Sequence, residues 1–293
     1  MTSARTPSTH QVPLFCSEIS GPKARPFLKW AGGKTRLLPE LRRCIPRRFG
    51  RYFEPFLGGG ALFFDLEPRR AILSDANPEL IHCAQVVAKR PEEVIETLKG
   101  LSVSEQEFYR TRAVLPDTLR DVPRAARFIY LNKTCYNGLY RVNKSGQFNT
   151  PFGHYEGVSL FDSDTIRAAS HALRNANLLC SDYSAVLESA TRGDFVYFDP
   201  PYLPIGKNSD FKRYTKHFFY EADHIALAKS MEKLHERGCS VLLSNSFHPR
   251  VAELYEDFFR LTVMAPRFVN CKGGGRGKIK ELLIANYPIP VSK

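Results

Sequence analysis

No apolar run in this 293-residue chain approaches the roughly 20 residues of a membrane span, so a protein without membrane contact is expected. The N-terminal stretch, with Arg5, His10 and scattered prolines, lacks the apolar segment of a secretory signal, and a cytoplasmic location is expected. The seven cysteines are odd in number, and none stands at the paired spacing of a zinc site or dithiol motif, so they are expected to be reduced and mostly packing residues. Eight histidines form no His-Glu-x-x-His pattern, so no catalytic metal is expected. Acids are short too: 30 Asp and Glu against 42 Lys and Arg leave a formal net charge of +12. Such an excess attracts polyanions, of which nucleic acid is the commonest in cytosol. The bases cluster in Arg42-Arg43 with Arg47-Arg48 and Arg51, in Lys207 to Lys216, and in Lys272 to Lys280.

What is present is an apolar content of 43%, enough for a sizeable core, and one unusual stretch, Phe195-Val196-Tyr197-Phe198-Asp199-Pro200-Pro201-Tyr202. It reads as a short buried strand ending in a stiff turn, because neither proline can donate to a sheet and Pro201 restricts Pro200 to an extended conformation. The Asp199 carboxylate and the Pro200 carbonyl are acceptors that can share the hydrogens of one exocyclic amine, and the Tyr202 ring can stack on the base that carries it. Held in this way, an adenine N6 would have a more localised lone pair and could attack an electrophile placed in line.

Taken in order, residues 1–24 are rich in Ser, Thr and Pro without apolar periodicity and read as a flexible tail. Trp30-Ala31-Gly32-Gly33-Lys34-Thr35 ends like a phosphate-binding loop, but Leu28 stands where that motif needs its first glycine. The glycines instead suit close approach of a ligand beside Trp30 and Lys34. A helix is expected around Leu37 to Cys44. Tyr52 to Phe64 reads as strand, glycine turn and helix start, and Ala71 to Asp75 as a second strand ending in an acid where ribose hydroxyls would be held. Phe63 replaces the third glycine of the dinucleotide fingerprint, which weakens a NAD or FAD reading. From Ile81 to about Leu179 helical spacing takes over, at Glu93 to Leu98, Glu105 to Val114 and Arg124 to Asn132. Cys135 to Gly153 is a hairpin-like segment with turn signals at Asn137-Gly138 and Ser145-Gly146, mixing aromatics, amides and Arg141 in a way that suits reading bases. Strands are expected again at Asn177 to Cys180, Phe195 to Phe198 and Ser240 to Asn245, with a crossover helix over Glu221 to Glu236. The loops Lys207 to Lys216 and Gly273 to Lys278 read as mobile and basic.

Phe27 to Lys34, Glu54 to Gly60, Asp75, Tyr136 to Gly153 and Asp199 to Tyr202, in that order, resemble the Dam-type (D12 class) DNA adenine-N6 methyltransferases. The resemblance runs from about Pro26 to the C-terminus. It implies an α/β fold, a Rossmann-like S-adenosylmethionine-dependent sheet in residues 25–80 and 178–293, with a mostly helical target-recognition domain inserted at 81–177. It implies S-adenosyl-L-methionine as methyl donor, double-stranded DNA as partner, a monomer, and a cognate restriction endonuclease in the host without direct contact. Carried over by residue, Trp30, Ala31, Lys34, Phe56, Gly58, Gly60, Asp75, Asp182, Tyr183 and Asp199 would bind the cofactor. Asp199, Pro200 and Tyr202 would be catalytic. Tyr136 and Asn137 would wedge the stack, Lys29, Leu139, Arg141, Asn143 and Pro151 would read bases, and Lys133 would touch a phosphate. GATC is the implied target, with Tyr140 and the tail as departures from the pattern.

Cytosine-C5 chemistry needs a nucleophilic cysteine, usually after proline, and no Pro-Cys pair occurs. Cytosine-N4 or RNA adenine-N6 methylation could use the same turn, and a DNA-binding regulator could keep the fold without catalysis.

Overall fold

The strand Tyr52–Glu54 (β1) is short because Pro55 follows it, and it pairs in parallel with Ala71–Asp75 (β2), with Tyr52 opposite Ala71. The computed structural model to which these elements belong describes residues 22–155, 157, 159–203, 219–266 and 278–290. The further strands are Ala176–Cys180 (β3), Phe195–Phe198 (β4), Ser240–Ser246 (β5), Phe259–Pro266 (β6) and Lys278–Ala285 (β7). Among the described residues they form one seven-stranded sheet in the order β3-β2-β1-β4-β5-β7-β6, with β7 antiparallel to both neighbours. The helices, in chain order, are Leu38–Cys44 (α1), Ala61–Leu66 (α2), Pro78–Lys89 (α3), Pro91–Lys99 (α4), Glu105–Ala113 (α5), Asp121–Thr134 (α6), Ser163–Leu173 (α7), Ala185–Ser189 (α8), Glu221–Glu236 (α9) and Pro249–Leu254 (α10).

β4 is buried on both faces, as the continuous apolar run Phe195 to Phe198 requires of a parallel strand. Its side chains alternate: Phe195 and Tyr197 join one core cluster, Val196 and Phe198 the other. The first cluster takes in α3, α4 and α6 as well as Tyr52 and Leu73, so the helical stretch and one sheet face share a core. The second is closed by Leu227, Met231 and Leu234 of α9, which crosses from β4 to its parallel neighbour β5 as expected. α3 starts where Asn77 accepts hydrogen bonds from the Glu79 and Leu80 amides (3.1 and 3.3 Å) and Pro78 occupies the first helical position.

Most expected elements stand within a few residues of their reading, but β6 and β7 were not foreseen. β6 alternates buried Leu261, Val263 and Ala265 with exposed Arg260, Thr262 and Met264, the period of a half-buried strand. β7 is masked in sequence because its basic start continues a glycine-rich segment. The expected mobile loops lie in residues 204–218 and 267–277, outside the described residues, although Lys278 opens β7. Of the expected tail, residues 1–21 lie outside the described residues, while Ala24 is buried and its amide donates to Glu67 Oε1 at 3.1 Å.

The strand order reverses between β1 and β4, where Tyr52 pairs with Phe195 and Phe53 with Val196. In an open α/β sheet that reversal leaves a crevice beyond the carboxyl ends of the strands.

Candidate active site

At the end of β4 the chain leaves the sheet at Asp199, as two consecutive prolines require. Lys34 Nζ lies 2.8 Å from Asp199 Oδ1, and Ser244 Oγ donates to the same oxygen at 2.8 Å. Ser244 is in turn 3.0 Å from the Tyr197 hydroxyl. Because an ionised carboxylate only accepts, the Ser244 proton points at Asp199 and the Tyr197 proton at Ser244. Among the described residues, neither Asp199 Oδ2 nor the Pro200 carbonyl takes a hydrogen bond. Lys34 is buried, and Nζ also donates to the Gly32 carbonyl at 2.6 Å. It lies 4.7 Å from the centre of the Tyr202 ring, whose hydroxyl donates to Glu281 Oε2 at 2.7 Å.

The glycine turn after β1 is shaped by Trp30. Gly58 has φ +48°, and a Cβ there would lie 2.7 Å from Trp30 Cδ1; at Gly59 it would lie 3.2 Å from Trp30 Cβ. Only glycine lets the indole lie this close to the backbone. Trp30 also stacks on Tyr140, with centroids 6.1 Å apart and planes at 17°. Tyr140, a departure at the sequence level, is thereby a buried packing residue between the glycine turn and the hairpin. Asp75, at the end of β2, accepts from the Gly58 amide (3.0 Å) and the Asn77 amide (2.9 Å). Burial pushes its carboxyl above the ordinary value, with both amides opposing. Phe56 stacks on Tyr183 at 5.4 Å.

Trp30, Ala31, Lys34, Phe56, Gly58, Gly60, Asp75, Asp182, Tyr183, Asp199, Pro200 and Tyr202 all line one cavity of about 1700 Å³. Leu139 and Asn143 reach it from the hairpin; Lys29, Lys133, Tyr136, Asn137, Arg141 and Pro151 do not. Those six stand outside the cavity lining. Asn137 is left-handed at φ 54°, and its amide donates to the Tyr155 hydroxyl at 2.7 Å. Lys29 Nζ lies over the Tyr155 ring at 4.8 Å, and Tyr136 is exposed. Asn132 of α6 holds the Lys29 backbone from both sides, accepting from its amide (2.8 Å) and donating to its carbonyl (2.6 Å). Arg141 Nε donates to Asn149 Oδ1 at 2.8 Å, and Asn143 Oδ1 accepts from the Ser145 and Gln147 amides (3.0 and 2.9 Å), closing the hairpin turn. Burial, with the nearby charges of Lys29 and Arg25, pushes the Lys133 ammonium down to about 8.

Three groups escaped the sequence reading. Glu54 is buried at the end of β1, accepting from the Tyr52 hydroxyl (2.9 Å) and the Phe63 amide (3.2 Å). Burial, aided by the Asp199 charge, raises its carboxyl to about 8, so it is mostly protonated at neutral pH. Glu281 is buried on β7, its carboxyl likewise raised by burial. Ser244 sits inside the strand run Ser240 to Asn245 and gave no signal beyond strand character. A buried acid before a glycine turn could have flagged Glu54; Glu281 and Ser244 meet the site only through the sheet.

The sheet order, with its antiparallel β7 and a ligand-sized crevice at the strand reversal, is that of a Rossmann-like methyltransferase. The chain belongs to the D12 class of N6 adenine-specific DNA methyltransferases, whose family model matches residues 30–267. It is 43% identical to the type II methyltransferase M.MjaIII of Methanocaldococcus jannaschii, over 90% of this chain and 100% of that relative. It is 40% identical to the type II methyltransferase M1.LlaDCHI of Lactococcus lactis subsp. cremoris, over 90% of this chain and 95% of the relative. With the DNA adenine methylase of Escherichia coli K12 it shares 35% identity over 92% of this chain and 98% of that one. The protein is therefore a DNA-methylating enzyme of a family whose reaction implies S-adenosylmethionine as donor. No helix among the described residues is long and apolar enough to cross a membrane.

Proposed function

We propose that the chain methylates N6 of an adenine flipped out of duplex DNA, within GATC, using S-adenosylmethionine. The observation that carries the reading is the asymmetry of Asp199: Oδ1 is held by Lys34 and Ser244, while Oδ2 and the Pro200 carbonyl are unengaged among the described residues, at a cavity wall. Two acceptors at one strand end suit the two hydrogens of an exocyclic amine. Within a base-paired stack that amine is not open to in-line approach, which is why flipping is proposed.

The residues present suit the methyl donor. Asp75 beside the Gly58 turn can hold ribose hydroxyls, Asp182 and Tyr183 border an adenine, and Trp30, Ala31, Lys34, Phe56, Gly58 and Gly60 line the remainder. When bound, S-adenosylmethionine supplies an electrophilic methyl group on a sulfonium. The protein's share is to hold the amine through Asp199 Oδ2 and the Pro200 carbonyl, to cover the base with Tyr202, and to strengthen both contacts as N6 gains positive charge.

In this reading, residues 81–177 form the recognition unit. Tyr136 and Asn137 fill the gap in the stack, Lys29, Leu139, Arg141, Asn143 and Pro151 meet bases, and Lys133 meets a phosphate. Exposed Tyr136 and the left-handed Asn137 support the wedge. The enzyme works as a cytoplasmic monomer, and a host restriction endonuclease of the same specificity would accompany it without contact. Transfer of labelled methyl to unmethylated DNA, followed by sequencing for modified adenine, tests this. Modification confined to GATC is expected; adenine in another sequence would overturn the recognition assignment, and label on RNA alone would overturn the substrate.

A further inference from the structure

The basic cluster around Arg47 to Arg51 has no part in the chemistry above, because it lies at the other end of the strands. β3, β2, β1, β4 and β5 are parallel neighbours, and their first residues stand in one row: Ala176 opposite Ala71, Ala71 opposite Tyr52, Tyr52 opposite Phe195, and Phe195 opposite Ser240. Every one of these five strands is entered through arginine. Arg174 precedes β3, Arg69 and Arg70 precede β2, Arg47, Arg48 and Arg51 precede β1, Arg192 precedes β4 and Arg237 precedes β5.

The entry loops are laced together. The Tyr52 amide donates to the Arg70 carbonyl (2.9 Å), Gly50 to Gly193 (2.8 Å), and Gly193 to Gly238 (2.9 Å). Arg51 is spent on structure, pairing with Asp194 at 2.7 Å, and Arg174 Nε donates to the Ala88 carbonyl at 3.3 Å. Arg47, Arg69, Arg70, Arg192 and Arg237 are exposed and have no ion pair among the described residues. Exposed Glu236, the last residue of α9, is the acid next to Arg237 in the chain. Four strand spacings make this rim roughly 19 Å wide.

We infer that this rim is a second nucleic-acid surface, which takes the phosphate backbone of another duplex segment while the catalytic mouth holds the target. The inference rests on DNA being the substrate. The rim stands at the entry end of β4 and Asp199 just past its exit end, four residues or roughly 13 Å of strand further on, so a straight duplex across the mouth does not reach it. Arginine in place of lysine at every position favours phosphate oxygens, which its planar fork meets with two parallel hydrogen bonds. Duplex DNA is the polyanion this enzyme meets in every turnover, and a second grip would let one molecule hold two segments and transfer between them.

The test is capture of a second duplex. The enzyme is loaded on an immobilised target duplex, then offered a labelled duplex without the target sequence. Wild-type protein should retain the label, with a mass by light scattering of one enzyme and two duplexes, and lose it as salt rises. The variant carrying Arg47→Gln, Arg69→Gln, Arg70→Gln, Arg192→Gln and Arg237→Gln should lose at least tenfold of the retained label, yet methylate a short duplex at the wild-type rate. Its salt slope for the second duplex should fall by about 0.9 for each phosphate contact removed. The same five positions changed to Lys should keep the label, which covers the case in which the Gln variant folds poorly. Equal retention by the Gln variant, no retention by wild type, two enzyme copies in the captured complex, or displacement of the label by polyglutamate more readily than by free DNA would each overturn the inference. Failure to methylate the short duplex would instead strike the substrate reading.

Discussion

Lys34 Nζ and Ser244 Oγ meet on the same oxygen of Asp199, each at 2.8 Å, and leave the other oxygen to the cavity. This arrangement distinguishes two substitutions that would otherwise look alike. Asp199→Asn keeps size and one acceptor oxygen, which Lys34 and Ser244 would claim. The amide nitrogen then faces the substrate amine, donor against donor. Asp199→Asn should therefore lose methyl transfer as fully as Asp199→Ala, by on the order of 10²-fold or more, while DNA binding in a gel-shift assay is retained. An Asn variant with near wild-type turnover would show that the free oxygen is not the acceptor.

Ser244 has no route to the substrate except through Asp199, so its effect should be on rate alone. Ser244→Ala removes one donor to a charged acceptor, worth about 1.5–3 kcal/mol, or roughly 10–100-fold in single-turnover methyl transfer. The dissociation constants for S-adenosylmethionine and DNA should stay as they are, and Ser244→Thr should restore most of the rate. Equal losses in rate and in both affinities would point to general damage of the sheet.

How much of this arrangement the sequence disclosed follows from where its partners come from. Asp199, Pro200 and Tyr202 are consecutive or nearly so, and the stiffness of their turn is written in two prolines. Asp75 and the glycine turn were readable because strand, turn and acid recur at short range. Ser244 and Glu281 come from β5 and β7, brought to Asp199 and Tyr202 only by sheet pairing, and no local pattern announces them. Tyr140 stood out as a departure among residues read as base contacts, and its reason, packing on Trp30, is likewise visible only in the tertiary structure.

The Trp30 contact makes Gly58 a sharp test of the cofactor side. Gly58→Ala adds a methyl group 2.7 Å from the indole in a backbone conformation, φ +48°, that L side chains rarely adopt. The combined strain is on the order of 1–3 kcal/mol. Calorimetric titration should show weaker S-adenosylmethionine binding and thermal melting a lower Tm. Trp30→Ala removes the contact but not the strained φ and has a packing cost of its own, so in a double-mutant cycle Gly58→Ala should lower Tm less in the Trp30→Ala background than in the wild type. A Gly58→Ala protein with unchanged binding and Tm would mean that the turn has room the geometry denies it.

Glu54 links the site to stability through pH. Its carboxyl has an ordinary value of 4.5, which the unfolded chain would show, and in the fold it is raised to about 8, first by burial and then by the Asp199 charge, against the hydrogen bonds from Tyr52 and Phe63. Between those values the folded state holds a proton that the unfolded state has released. Stability from this group is therefore fully present below about 4.5 and is lost progressively as pH rises through about 8. Glu54→Gln cannot ionise, and its amide oxygen can still accept from the Tyr52 hydroxyl and the Phe63 amide. In urea unfolding followed from pH 5 to pH 8, the free energy of wild-type protein should fall relative to Glu54→Gln, by on the order of a few kcal/mol over the window. Titrations of Asp65 and Asp194, whose carboxyls are held low by Arg42 and Arg51, are common to both proteins and cancel in the difference. Parallel curves would mean that Glu54 is already ionised in the fold, and that the acid beneath the glycine turn faces Asp199 as a second negative charge.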